Sequence, residues 1–215
     1  MAAIASILYT EEEIQLRVRE LASDITRDYA GQSPVLVSIL KGGVVFLADL
    51  IQQVDLPLRL DFMSISSYGA GAQATGVVRI IKDLDQDIGG EHVLIVEDII
   101  DTGLTLSYLL SALWARGPAS IEVCALLDKA VRRIAPLDIR YRGFECPDQF
   151  VVGYGLDHQE RYRNLPFILG VHDQAGLAAD PDSLRSFLGR HSAPRGGIAR
   201  PEGAAEAGPA SPTQA

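Results

Sequence analysis

The chain has 215 residues, 47% of them hydrophobic, and a formal net charge of −9. That length and apolar content suit one domain of ordinary size with a packed core, and the acidic balance argues against a nucleic-acid partner, which needs clustered Lys and Arg. No charged-then-apolar leader and no bilayer-length apolar run are visible, so the expectation is a cytoplasmic protein with no membrane partner. Thr10 followed by Glu13 reads as a capping box, and Ile14, Val18, Leu21 and Ile25 recur at helical spacing, so residues 11–30 are predicted as one amphipathic helix. Val35–Leu40 is a short apolar strand, Lys41-Gly42-Gly43 a turn and 44–53 a helix. Residues 58–67 alternate, which suggests a strand with one wetter face. The glycine- and alanine-rich 68–76 is predicted as a mobile loop, with 77–82 returning from it as a strand.

Residues 93–105 are the most informative stretch. Four apolar residues run straight into Glu97 and Asp98, as in a strand buried on both faces of a parallel sheet. Asp101 then opens a Thr-Gly-Leu-Thr loop ahead of an apolar helix running from near Leu104 to Gly117-Pro118. Further buried strands are expected at 121–127, 150–154 and 167–171, and a short helix at 182–188. Strands alternating with helices predict an α/β fold of parallel βαβ units. From His191 the chain is too poor in large apolar groups to offset ordering entropy. The expected organisation is therefore one domain over 1–190 and a disordered tail over 191–215. The cysteines Cys124 and Cys146 lack zinc-type spacing, and the four histidines form no ligand pair at helical spacing.

The acids and the loop define a chemistry together. Adjacent carboxylates repel phosphate, but they suit sugar hydroxyls or a Mg²⁺ ion whose shell is completed by water and substrate oxygens. Alone, such a pair reads as solvated acids at a strand end. Thr102, Gly103 and Thr105 add small hydroxyls and a flexible backbone at a helix N-terminus, where free N–H groups favour an anion. Acids for a diol followed at once by a phosphate cradle amount to a ribose-5-phosphate site. The P-loop pattern is missing, because no Lys follows a Gly at the required spacing, and Gly69, Gly71 and Gly76 do not fit the dinucleotide fingerprint.

This stretch resembles the phosphoribosyl-diphosphate motif of type I phosphoribosyltransferases. The hypoxanthine-guanine branch is also resembled by Ser38-Ile39-Leu40-Lys41-Gly42-Gly43, Ser66-Ser67-Tyr68-Gly69, Leu126-Leu127-Asp128-Lys129 and the run from Phe150 to Asp157, over about residues 8–172. The resemblance implies a central, mainly parallel sheet flanked by helices, with a small hood and a mobile active-site loop. It implies transfer of a phosphoribosyl group from 5-phosphoribosyl 1-diphosphate to a purine base, with Mg²⁺, in a homodimer or homotetramer. Glu97 and Asp98 would hold the ribose hydroxyls near the metal, Asp101 would face purine N7 and handle its proton, and residues 101–105 would wrap the 5′-phosphate. Lys129 would donate to the purine 6-oxo group, Phe150 would stack on the ring, and the Val151 backbone would read the base edge. Asp157 would lie near the 2-position and the metal.

An ammonium has only donors, so Lys129 suits a 6-oxopurine and would leave the amino group of adenine unmatched. That argument does not rank hypoxanthine, guanine and xanthine. Arg133 and Arg163 are candidate pyrophosphate partners, with surface salt bridging as the competing explanation. At Lys41-Gly42 a glycine lets the backbone approach the anion, and in the family this peptide can be cis. Ser67 and Tyr68 would begin the closing lid. One departure stands out: some members carry Lys where this chain has Leu104, so phosphate binding here must rest on N–H groups and threonine hydroxyls. The rival of another class is a non-catalytic nucleotide sensor on the same fold.

Overall fold

The computed structural model describes residues 4–67 and 78–189. The expected lid at 68–76 and the tail at 191–215 lie outside the described residues, as does Tyr68. A strand β1 (Ala5–Tyr9) leads into helix α1 (Glu11–Asp28). The helix begins as its sequence dictates. The Thr10 hydroxyl accepts from the Glu13 N–H at 3.2 Å, and the Glu13 carboxylate accepts from the Thr10 N–H at 2.8 Å. A cap of this kind contributes about 1 kcal/mol. Ile14, Val18, Leu21 and Ile25 all point inward and are fully buried, each stabilising the fold by about 1.5–3 kcal/mol.

The main sheet is built from β2 (Val35–Leu40), β3 (Arg59–Ser67), β4 (Val78–Lys82), β5 (His92–Ile100), β6 (Ser120–Asp128) and β7 (Tyr141–Glu145), in the order β4-β3-β2-β5-β6-β7. All neighbours are parallel except β4, which returns antiparallel on β3. Helix α2 (Val44–Ile51) follows β2, and α3 (Leu104–Trp114) follows β5. Side chains alternate across a strand, so each central strand feeds two cores. Leu36, Leu94, Val96, Cys124 and Leu126 pack under α1 and α2. Val35, Val37, Val93, Ile95, Val123 and Ala125 pack under α3. This two-sided burial is why β2, β5 and β6 read as continuous apolar runs.

Two expected strands do not join that sheet. β8 (Phe150–Val152) and β9 (Ile168–Val171) pair antiparallel with each other, and β1 adds to β9, giving a separate three-stranded hood. The strand expected to reach residue 154 stops at Val152, because Gly153, Tyr154 and Gly155 all have positive φ. A side chain at Gly153 would overlap the Phe167 carbonyl, so that bend requires a glycine. Beyond β9, helix α4 (Gln174–Ala179) is capped by Asp173. The helix expected at 182–188 is reduced to a single 3₁₀ turn, Arg185–Phe187. No helix among the described residues is long and apolar enough to cross a membrane.

Candidate active site

The alternation of β5 decides where its acids go. Glu97 continues the Val93–Ile95 face toward α3, and Asp98 continues the Leu94–Val96 face toward α2. Two cavities open at the carboxyl ends of the parallel strands, where open α/β sheets bind ligands. The smaller, about 230 Å³, is lined by Glu97 together with Thr102, Gly103 and Thr105. The larger, about 520 Å³, takes Asp98, Lys129, Phe150 and Val151 into its wall. Lys41, Gly42, Asp157 and Arg163 also line it. Asp101 lines both cavities.

The smaller cavity is a helix N-terminus. Gly103 caps α3 with φ 78° and no side-chain hydrogen bond to the helix. A Cβ there would crowd Leu137 and Arg133, so glycine is required both for the turn and for the packing behind it. Ile134 and Ala135 donate to the Thr102 carbonyl at 2.9 and 3.1 Å, which pins the outside of the loop. Leu104 is 48% exposed and absent from the cavity wall. It therefore neither supplies a charge to the loop nor obstructs it.

In the larger cavity, Lys129 follows β6 and is only 5% exposed. Its neighbour Asp128 turns the other way, where Arg133 and Arg142 pair with it. Arg133, expected at the pyrophosphate, is thus turned to Asp128 behind the Gly103 turn and does not line the larger cavity. Arg163 does line it. Its guanidinium donates to the Gly155 carbonyl at 2.8 Å and lies 2.9 Å from Asp157. Phe150 stands at the cavity wall with His158 edge-on behind it, ring centroids 5.8 Å apart. Gly42 passes so close to Asp98 that a methyl group at residue 42 would overlap its carboxylate. The cis bond lies one peptide earlier than Lys41-Gly42, at Leu40-Lys41. Ser67 ends β3.

A phosphoribosyl transferase domain matches residues 5–159. The hypoxanthine-guanine phosphoribosyltransferase of Mycobacterium avium is 51% identical over 171 residues, covering 77% of this chain and 84% of that protein. Its counterpart from Bacillus subtilis is 50% identical over 165 residues, covering 77% and 92%. A crystal structure of a hypoxanthine-guanine phosphoribosyltransferase from Bacillus anthracis, with a HEPES molecule in its active site, superimposes with a TM-score of 0.75 at 47% identity. It covers 78% of this chain and 99% of that one. The chain belongs to the hypoxanthine-guanine phosphoribosyltransferase family.

Four polar residues of this family member's larger cavity escape the sequence reading: Arg132, Asp148, Gln149 and Gln174. Arg132 lies 3.3 Å from Asp101 and 3.7 Å from Asp148. A signal for it was available. Residues 130–132 form a 3₁₀ turn, in which side chains three apart eclipse, so a cation three positions after Lys129 shares its face. Asp148, Gln149 and Gln174 come from loops and a short helix, with no periodicity to mark them.

The acids are held at an electrostatic cost. Burial raises Glu97 well above the usual carboxylate range, and the neighbouring Asp98 adds to it. Burial also pushes Asp98 up to about 6; Asp157 adds to the rise, while the Ile99 N–H and Arg163 oppose it. Unfolding returns Asp98 to about 4, so between those values the folded state holds more protons and stability falls as pH rises. Asp98→Asn should therefore stabilise the free protein at pH 7–8 by on the order of 2 kcal/mol. The gain should shrink to nothing below pH 4. Urea melts across pH 4–8 read this, and a gain that does not vary with pH would contradict it.

Proposed function

We propose that this protein transfers the 5-phosphoribosyl group of 5-phosphoribosyl 1-diphosphate to N9 of hypoxanthine or guanine, giving IMP or GMP and pyrophosphate. The observation that carries the reading is the double position of Asp101, on the wall of the base-sized cavity and of the phosphate-sized one at once. A nucleotide's ribose would lie between those two spaces, with its 5′-phosphate on residues 101–105 and its base against Phe150. Asp98 and Glu97, on opposite faces of β5, flank that position and suit the ribose hydroxyls as acceptors.

In the reaction, the bond from ribose C1 to the diphosphate oxygen breaks and the bond from C1 to purine N9 forms. The purine gives up a proton, and Asp101, facing N7, is the carboxylate placed to receive it and to offset charge developing in the ring. Lys129 donates to the 6-oxo group, which selects against adenine. Phe150 supplies a stacking face, and Val151 supplies backbone groups for the base edge. Lys41, the Gly42 peptide and Arg163 hold the departing diphosphate. The closing lid over Ser67 and Tyr68 belongs to the same reading.

Among the described residues, no three acids, histidines or cysteines gather closely enough to hold a metal alone. The donor set still fits Mg²⁺, which keeps water and substrate oxygens in its shell. Asp98 and Glu97 are carboxylates raised by burial, and Asp157 lines the larger cavity together with Asp98. These three would hold the ion through ribose and diphosphate oxygens, and the ion would neutralise charge on the leaving group. Xanthine is the nearest alternative base, since Lys129 meets its 6-oxo group equally well.

Mixing the protein with 5-phosphoribosyl 1-diphosphate, Mg²⁺ and each purine base in turn should yield nucleotide with 6-oxopurines and none with adenine. Asp101→Asn should lower kcat by roughly 10²–10⁴-fold, with the Kd for the diphosphate within a few-fold. Tight nucleotide binding without turnover by the unaltered protein would instead favour a sensor. Self-association into a homodimer or homotetramer is part of the proposal. Leu104 and Tyr108, one turn apart on α3, expose apolar surface, and Val131 and Ile134 beyond the phosphate loop are 69% and 68% exposed. Light scattering should report a dimer or tetramer, and a stable monomer at micromolar concentration would count against it.

A further inference from the structure

Glu160 sits where the two cations assigned to the diphosphate meet. Its carboxylate lies 2.9 Å from the Lys41 ammonium and 3.4 Å from the Arg163 guanidinium. Through the same oxygen it bridges the loop after β2 to the loop after β8, both of which send a cation to the larger cavity. The geometry is imposed. Gln159 and Glu160 both have positive φ, and the Glu160 N–H donates to Asp157 at 2.8 Å, which aims the side chain back toward Lys41. Both ends of the Lys41 pair are about two-thirds exposed, so the contact is one that an incoming anion can open.

We infer that Glu160 is an internal counter-anion that competes with the diphosphate for Lys41 and Arg163, setting the affinity for the diphosphate substrate and easing pyrophosphate away after transfer. This rests on the assignment of Lys41 and Arg163 to the diphosphate. A carboxylate and a phosphoryl oxygen present the same acceptor chemistry to an ammonium and a guanidinium. The substrate must therefore displace Glu160, and the product leaves into a site that closes behind it by re-forming the pairs. The role is affinity-determining; the side chain touches no reacting atom.

Replacing Glu160 by Gln keeps its length and turn while removing the charge. The Kd for pyrophosphate with Mg²⁺, by calorimetry, and the KM for 5-phosphoribosyl 1-diphosphate should both fall by about three- to ten-fold, the scale of one or two exposed ion pairs. The KM for the purine base should stay put, and pyrophosphate should become the stronger product inhibitor. In a Lys41→Met background the same change should matter less, because half of the competition has gone. Unchanged or weakened pyrophosphate binding in E160Q would overturn the inference, as would an equal gain with and without Lys41, which would mark a diffuse charge effect. If the unaltered protein binds neither pyrophosphate nor its substrate, the functional reading itself fails, and that outcome is distinct from either result for E160Q.

Discussion

The site depends on a strand buried on both faces that ends in two consecutive acids. Because successive side chains on β5 leave the sheet on opposite sides, Glu97 and Asp98 cannot share one pocket. Each opens a different one, and the chain must turn between them to start α3. Asp101 stands at that turn, which is why it alone among the acids belongs to both cavities. On the proposed reading, phosphate, ribose and base need three adjoining surfaces, of which a single β-to-α junction would supply the first two and touch the third.

Holding carboxylates this way opposes folding, since burial penalises the charged forms of Glu97 and Asp98. The two apolar cores beneath α1–α2 and α3 offset that penalty, and they keep the strand end rigid enough to aim the acids. Three of the larger cavity's basic groups already have acidic partners. Arg163 is fixed by Gly155 and Asp157, Lys41 is paired with Glu160, and Arg132 lies between Asp101 and Asp148. If these cations take the diphosphate as proposed, substrate binding would be an exchange of partners, and affinity would be set by what the cations give up as well as by what they gain.

Much of this was legible in the sequence because the decisive features are local. The capping box at Thr10–Glu13, the buried runs of β2, β5 and β6, and the glycine before α3 each follow from a few adjacent residues. The resemblance to a family singled out Phe150, Val151 and Asp157, all on the larger cavity's wall; composition alone would have placed Phe150 and Val151 in the core. The losses have physical causes. β7, Tyr-Arg-Gly-Phe-Glu, is a sheet edge with a mixed, half-wet pattern, and β1 has only one fully buried side chain. The segregation of β8 and β9 into a separate sheet is a pairing decision invisible to periodicity. Arg133 and Arg132 are adjacent, and only their direction out of a 3₁₀ turn distinguishes the residue facing the larger cavity from the residue that pairs with Asp128.

On the proposed reading, one strand-to-helix turn would hold the phosphate end of a nucleotide while its flanking acids hold the sugar. A crystal structure with guanosine 5′-monophosphate bound tests it most directly. The phosphate is expected against the N–H groups of residues 101–105, the ribose hydroxyls within hydrogen-bond distance of Glu97 and Asp98, and the base stacked on Phe150 with its 6-oxo oxygen at Lys129. A nucleotide bound elsewhere, or bound here with its phosphate pointing to Lys41 and Arg163 and its base at Thr102–Thr105, would contradict it.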